Sequence, residues 1–260
     1  MYLERLTTAG METSPYYVPN GKFNPVSKYD DTQMPNCTRY CNCRANESLN
    51  AKSPQSIARV GGGFGNAKDW WNQSPLPKGY KLKNGCIAVF DGNYGHVAFV
   101  ERVIDDTHAL ISESQYDPDK NRRDYKYWQK RIVELVPGKA TLAGVGKLFG
   151  FLYLDVNDIR TSRNSQEQVE VIDTFVNIRV KPEGDVFREG CFAPMGIYDV
   201  IQSKKVNGYM WYKLDDSCWI REGSWLNHYP AEDWGDRIAA LEAENKELKN
   251  RLAQIAKLAG

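Results

Sequence analysis

Three hydrophobic patterns succeed one another along the chain. Cys86–Phe90, His96–Ile104 and His108–Glu113 are short apolar runs separated by turn residues, and they predict three consecutive strands. Ahead of them, Thr38–Ile57 and Asn66–Asn72 have helix-compatible composition. Asn36 is placed to cap the first helix, because an Asn side chain accepts from the free N–H groups of a first turn. Residues 1–156 thus read as helices followed by an antiparallel sheet, an α+β domain. Residues 157–168 are polar and almost free of large apolar groups, which reads as a linker. Residues 169–230 alternate apolar and polar positions in short runs, with Asn207-Gly208 as a hairpin turn, and predict a small all-β domain.

Residues 234–260 lack Pro and are rich in Ala, Glu, Lys and Leu, which predicts a helix. Ile238, Leu241, Asn245, Leu248, Leu252 and Ile255 fall at alternating three- and four-residue steps. That is the a/d seam of a coiled coil, with Asn245 at an a position, where a buried Asn favours a parallel dimer. Self-association through this helix is the expectation. Docking of the same stripe on its own domain is the alternative.

Composition narrows the function. The chain has 260 residues, 42% hydrophobic and 26% charged, with a formal net charge of +1. No basic stripe marks a nucleic-acid binder. The longest apolar run, Leu148–Leu154, is interrupted by Gly150 and far too short to span a membrane. The first twenty residues show no apolar signal-peptide core, so synthesis in the cytoplasm without secretory export is expected. Seven Trp and fifteen Tyr exceed what a core needs, so some of these rings are expected to meet a ligand. Six Cys are too few for a disulfide scaffold of this length, which leaves packing, metal or chemistry to explain each.

Cys37 is the candidate nucleophile. At a helix start, backbone N–H groups and the macrodipole favour negative charge and lower a thiol pKa. The chain has three His. His96 opens a strand after a Gly-containing turn and is the candidate base, whereas His108 lies at a turn and His228 in the second part. Glu113, on the next strand, is placed to orient the imidazole, which completes the logic of a nucleophilic triad. A zinc site at Cys37, Cys41 and Cys43, with Cys86 or His96 as fourth ligand, is the competing reading. Its spacing lacks a second close ligand pair, and a helix aims Cys37 and Cys41 away from Cys43. Asp30-Asp31 lacks the alternating carboxylates that calcium favours. Neither a metal nor another cofactor is expected.

The sequence around these residues resembles the CHAP family, the cysteine- and histidine-dependent amidohydrolase/peptidases. The resemblance rests on five motifs in order across roughly residues 20–156. Asn36-Cys37-Thr38-Arg39-Tyr40 is similar to the family's nucleophile motif, and Asn66-Ala67 followed by Trp70-Trp71 to its second helix. Gly95-His96-Val97-Ala98-Phe99-Val100-Glu101 resembles its histidine strand. Ser112-Glu113-Ser114-Gln115-Tyr116 resembles its acid strand, and Gly150-Phe151-Leu152-Tyr153 its closing strand. The chain departs from the pattern twice. Gln115 stands where many members have Asn, and Cys41-Asn42-Cys43-Arg44 replaces Ala-Trp-Gly-Arg.

The resemblance implies a papain-like fold and hydrolysis of an amide bond in bacterial peptidoglycan. It gives Cys37 the role of nucleophile, His96 that of base and Glu113 that of orienting acid, with Gln115 as a supporting amide. Trp70 and Trp71 are candidates for the substrate groove, with at least one expected to pack inward. Residues 169–230 resemble a bacterial SH3-like domain, through Val176–Arg179, Tyr198–Ile201, Asn207–Lys213 and Trp219-Ile220. In peptidoglycan hydrolases such a domain binds the wall, which makes Tyr209, Trp211 and Trp219 candidates for stacking on a sugar or peptide. The implied protein is a phage-type endolysin that waits in the host cytoplasm and acts on the wall after release. Its partners are peptidoglycan and a second copy of itself, with no nucleic acid and no membrane. An inactive wall-binding or phage structural protein is the alternative, and a papain-like protease acting on proteins is a third reading.

Overall fold

Asn36 decides where the first helix begins. Its side chain accepts from the Thr38 N–H at 2.9 Å, and helix α1 runs over Cys37–Ser48. The helix stops well short of Ile57, because Asn50 takes a left-handed φ of 49° and the Ala51 N–H returns to the Asn46 carbonyl at 3.0 Å. The computed structural model describes residues 1–18, 21–24, 36–58, 65–114, 128–142, 145–161, 166–231, 242–249 and 251. It is mostly sheet with few helices, and it divides into two units. One comprises residues 1–158 together with 188–194, the other residues 159–187 together with 195–260.

In the first unit, a 3₁₀ turn at Ala67–Asp69 leads into the short helix α2 (Trp70–Gln73). The strands that follow are β2 (Lys78–Gly79), β3 (Ile87–Phe90), β4 (His96–Val103), β5 (His108–Glu113), β6 (Gln129–Glu134), β7 (Ala140–Leu142) and β8 (Gly146–Leu152). They form one antiparallel sheet in the order β2-β8-β3-β4-β5-β6, with β7 on β8. Alternation along β3 and β4 splits the core in two. Val89, Val97 and Phe99 pack with Tyr40, Cys41, Cys43 and Trp70. Ala88, Phe90, Ala98 and Val100 pack with Ala109 and Ile111 on the opposite face.

Helix α1 is buried almost all round, which leaves charges in the core. Arg5 and Arg44 meet Glu47 and Glu101, and all four side chains are fully buried. Arg44 donates to both Glu101 oxygens, at 2.8 and 2.7 Å, and Arg5 grips Glu47 through two nitrogens. Two cations and two anions balance, and the remaining acceptor capacity is filled by the hydroxyls of Tyr17 and Ser112 and the Arg5 N–H. Such a cluster is tolerated only when every member is paired, and losing one partner leaves a costly buried charge.

The first unit also takes a strand from late in the chain. Strand β1 (Glu4–Arg5) pairs with β11 (Cys191–Phe192), Glu4 opposite Phe192 and Arg5 opposite Cys191. The second unit consists of two small antiparallel sheets. One contains β9 (Arg160–Thr161), β10 (Gln168–Val171), β12 (Gly196–Asp199) and β16 (Leu226–Tyr229), in the order β16-β10-β12-β9. The other contains β13 (Gln202–Val206), β14 (Tyr209–Asp215) and β15 (Cys218–Arg221). The expected linker, residues 157–168, is therefore partly sheet: Arg160 and Thr161 pair with β12, and Gln168 opens β10. Its polar residues take strand conformation because the neighbouring strand supplies their backbone bonds. Residues 242–249 are helical and every one is exposed. Asn245 and Leu248 of the expected seam lie there, while Ile238, Leu241, Leu252 and Ile255 fall outside the described residues. Among the described residues no helix is long and apolar enough to cross a membrane.

Candidate active site

The N-terminus of α1 brings Cys37 against the first residue of β4. His96 is held there by Gly95, whose φ of 73° turns the chain against the backbone of Lys68. The His96 Nε2 hydrogen-bonds the Glu113 Oε2 at 2.6 Å. The ring also faces the Cys37 thiol, and each of the two groups shifts the other's pKa. Cys37, His96 and Glu113 are all buried. The structure thus brings the three residues together in one line: thiol, imidazole, carboxylate.

Charge accounts for the state of this line. Burial pushes the Cys37 thiol up, but the His96 imidazolium, its hydrogen bond and the N–H groups of Val97 and Thr38 outweigh it. The thiol ends below its ordinary value. Burial works against a charged His96, yet the Cys37 thiolate and the Glu113 carboxylate raise it to about 10. Burial also pushes Glu113 up, and His96 and Arg131 more than reverse this. Both shifts favour the same pairing, a thiolate facing an imidazolium. The other cysteines differ. Burial raises Cys41 and Cys43 well above an ordinary thiol and pushes Cys86 and Cys191 up to about 12. Cys41 and Cys43 therefore pack as small apolar groups. Among the described residues no group of three His, Cys, Asp or Glu is arranged to hold a metal ion.

Two further residues hold Glu113. Its Oε1 accepts from the Gln129 Nε2 at 2.6 Å and from the Arg131 Nε at 2.7 Å. Both belong to β6, where Gln129 lies opposite Glu113. Sequence reasoning missed them, since no spacing rule aligns β6 with β5 across the intervening residues. Behind the site, the Tyr40 hydroxyl donates to the Ser112 Oγ at 2.7 Å and Ser112 donates to Glu101 at 2.5 Å. The buried charge cluster thereby ties α1 to both strands of the site. Gln115 lies outside the described residues.

The paired tryptophans separate as adjacent helical positions must. Trp70 is in the core, whereas Trp71 is half-buried beside the exposed rings of Tyr80 and Phe149, at 6.0 and 6.2 Å. In the second unit Tyr209 is 47% exposed, but Trp211 and Trp219 are only 2% and 8% exposed. Trp219 exchanges backbone hydrogen bonds with Arg179 and packs inward, so its ring presents no open face for stacking.

A cysteine beside a carboxylate-oriented histidine is the set of groups that thiol-dependent acyl transfer requires. Residues 27–115, which contain all three of its members, match the model of the CHAP domain. No curated protein matches the chain. A similar solved structure is "The crystal structure of Ly7917 with the hydrolyzing product of MDP"; it is 17% identical, with 75% of this chain and 89% of that chain covered and a TM-score of 0.31.

Proposed function

We propose that the protein is a peptidoglycan hydrolase that cleaves an amide bond of the bacterial wall by a Cys–His–Glu thiol mechanism. The observation that carries this reading is the grouping of Cys37 with the Glu113-bonded His96, within the stretch that matches the CHAP domain. The Cys37 thiolate attacks the amide carbonyl carbon. The His96 imidazolium gives its proton to the departing amine, and a thioester remains on Cys37. His96, now neutral, takes a proton from water, which attacks the thioester and frees the thiol. Glu113 keeps the imidazole oriented through both steps. The Cys37 N–H at the start of α1 is the donor offered to the oxyanion.

The bond is either the N-acetylmuramoyl-L-alanine link or a peptide bond of the stem or cross-bridge. The biological reading is an endolysin made in the host cytoplasm, with residues 169–230 binding the wall and 234–260 joining two copies. Mass spectrometry of purified Gram-positive peptidoglycan, digested by wild type and by Cys37→Ala, tests the chemistry. Lactyl ends freed of intact peptides, absent with the variant, identify an amidase. New peptide amino termini identify an endopeptidase. Equal digestion by both proteins removes Cys37 from the mechanism, and absence of fragments from every wall type overturns the hydrolase.

A further inference from the structure

The second unit contains a cavity of about 240 Å³ whose walls include Asp173, Phe175, Arg179, Trp211, Arg221 and Trp225. Two of these side chains carry donors without a hydrogen-bond partner among the described residues. The indole N–H of Trp211 is buried and has no hydrogen-bond partner among the described residues. A buried donor left without a partner is destabilising, and an entering acceptor removes that cost. Arg221 forms no ion pair among the described residues. Its guanidinium lies over the rings of Tyr209, at 4.5 Å, and Trp225, at 5.8 Å, while its own carbonyl accepts from the Trp225 indole at 3.0 Å. The cation is thus fixed in position by aromatic faces and retains its capacity for an anion.

Another lining residue is held in an uncommon shape. Phe175 adopts a φ of 63°, which a bulky residue rarely takes, and its ring is 50% exposed. Strained backbone of this kind collects at ligand sites. Asp173 adds an acceptor beside these aromatic and cationic groups. The cavity is smaller than the roughly 300–1,000 Å³ of sites for drug-sized molecules, so it suits the end of a chain.

We propose that this cavity binds the carboxylate end of a short peptide. The carboxylate meets Arg221 and the Trp211 N–H, the terminal side chain lies against Phe175 and Trp225, and the amide N–H is offered to Asp173. This site is separate from Cys37, so its occupancy does not depend on the hydrolytic reading.

Titration calorimetry on the full-length Cys37→Ala protein tests it, with N-acetyl-Ala-Ala, the same peptide as its C-terminal amide, and sodium acetate as probes. The acid is expected to bind about ten-fold more tightly than the amide, since charge-assisted hydrogen bonds are roughly twice as strong as neutral ones. Acetate, which lacks the side chain and amide, is expected to bind more weakly still. Arg221→Met keeps the packing stem and is expected to erase the preference for the acid. Trp211→Phe is expected to weaken the acid several-fold, with circular dichroism establishing that the fold is kept. Equal binding of acid and amide, acetate binding as tightly as the peptide, or no binding of any probe at millimolar concentration would each overturn the proposal. Wall hydrolysis by the wild type is measured separately, so failure of either reading leaves the other standing.

Discussion

The Nε2 of His96 and the Oε2 of Glu113 are 2.6 Å apart on neighbouring strands, and the other Glu113 oxygen is held by Gln129 and Arg131. The carboxylate is therefore the hinge between the imidazole and a fixed cation. Glu113→Gln keeps the shape but removes the charge that stabilises the imidazolium, and it leaves Arg131 facing a neutral amide. The rate of wall clearing is expected to fall about 10- to 100-fold, within the range general acid–base groups contribute. The alkaline limit of the rate profile is expected to move to lower pH, because His96 loses its supporting charge. An unchanged profile in turbidity assays would place Glu113 outside the machinery.

The thiolate–imidazolium pair has a defined pH window. Cys37 lies below the ordinary thiol value of 9.0, and His96 is raised to about 10. As pH falls through the lowered Cys37 pKa the thiolate is protonated, and as pH rises through that of His96 the imidazolium is lost. Activity is expected to be bell-shaped, with its alkaline limb near pH 10. Iodoacetamide at neutral pH is expected to modify Cys37 first, as read by peptide mass spectrometry, since Cys41, Cys43, Cys86 and Cys191 are buried with raised pKa values. Labelling of Cys41 or Cys43 at the same rate in the folded protein would contradict this.

Gly95 sets the position of His96 by steric exclusion. A Cβ there would lie 2.3 Å from the Lys68 backbone nitrogen and 2.7 Å from its Cα, neither of which can swing aside. Gly95→Ala is expected to cost more than the roughly 1–2 kcal/mol of a left-handed non-glycine residue, and to depress activity along with the urea midpoint. Gly138 has a φ of 83° with nothing within 4 Å of its Cβ position, so Gly138→Ala should show the conformational cost alone. Equal midpoints for the two variants would mean that Lys68 yields.

The parts of the site legible in the sequence are those written locally. Asn36 caps, Cys37 follows, and Gly95 precedes His96, so each side chain carries its own signal within a few residues. What was illegible depends on long-range pairing. Gln129 and Arg131 reach Glu113 only through the register of β5 on β6. Arg5, Arg44, Glu47 and Glu101 read singly as surface charges, and burial becomes tolerable only once the fold assembles all four. The end of α1 was misjudged because composition from Leu49 to Ile57 remains compatible with a helix, while Asn50 leaves it through a left-handed turn. Trp219 looked like a binding ring because nothing in its own strand says which face is inward.

The return of residues 188–194 to the first unit is another non-local feature with a measurable consequence. The Arg188 Nη1 donates to the Glu47 carbonyl at 2.6 Å, Nη2 reaches Asn50 at 3.3 Å, and the guanidinium lies over the Tyr16 ring. These contacts brace the end of α1. Arg188→Ala is expected to lose about 1–2 kcal/mol in urea unfolding. A fragment ending at Asp158 lacks Arg188 and also the partner strand of β1, so it should melt below the corresponding transition of the full chain. A fragment with the same melting temperature would show that the segment adds nothing.

The exposed helix at residues 242–249 bears on self-association. Leu248 is 52% exposed and Asn245 lies on the same open helix. An isolated helix of this length is marginal in water, so its apolar stripe needs a partner. In the proposed dimer a second copy would supply one, placing Leu248 against its equivalent and pairing Asn245 across the seam, with Glu244 and the following Lys249 flanking it. Deleting residues 234–260 is therefore expected to halve the mass measured by light scattering. Asn245→Leu is expected to keep the association but loosen its stoichiometry, because a buried Asn selects the dimer at a cost in stability. An unchanged mass after the deletion would mean that the stripe finds no second copy in solution.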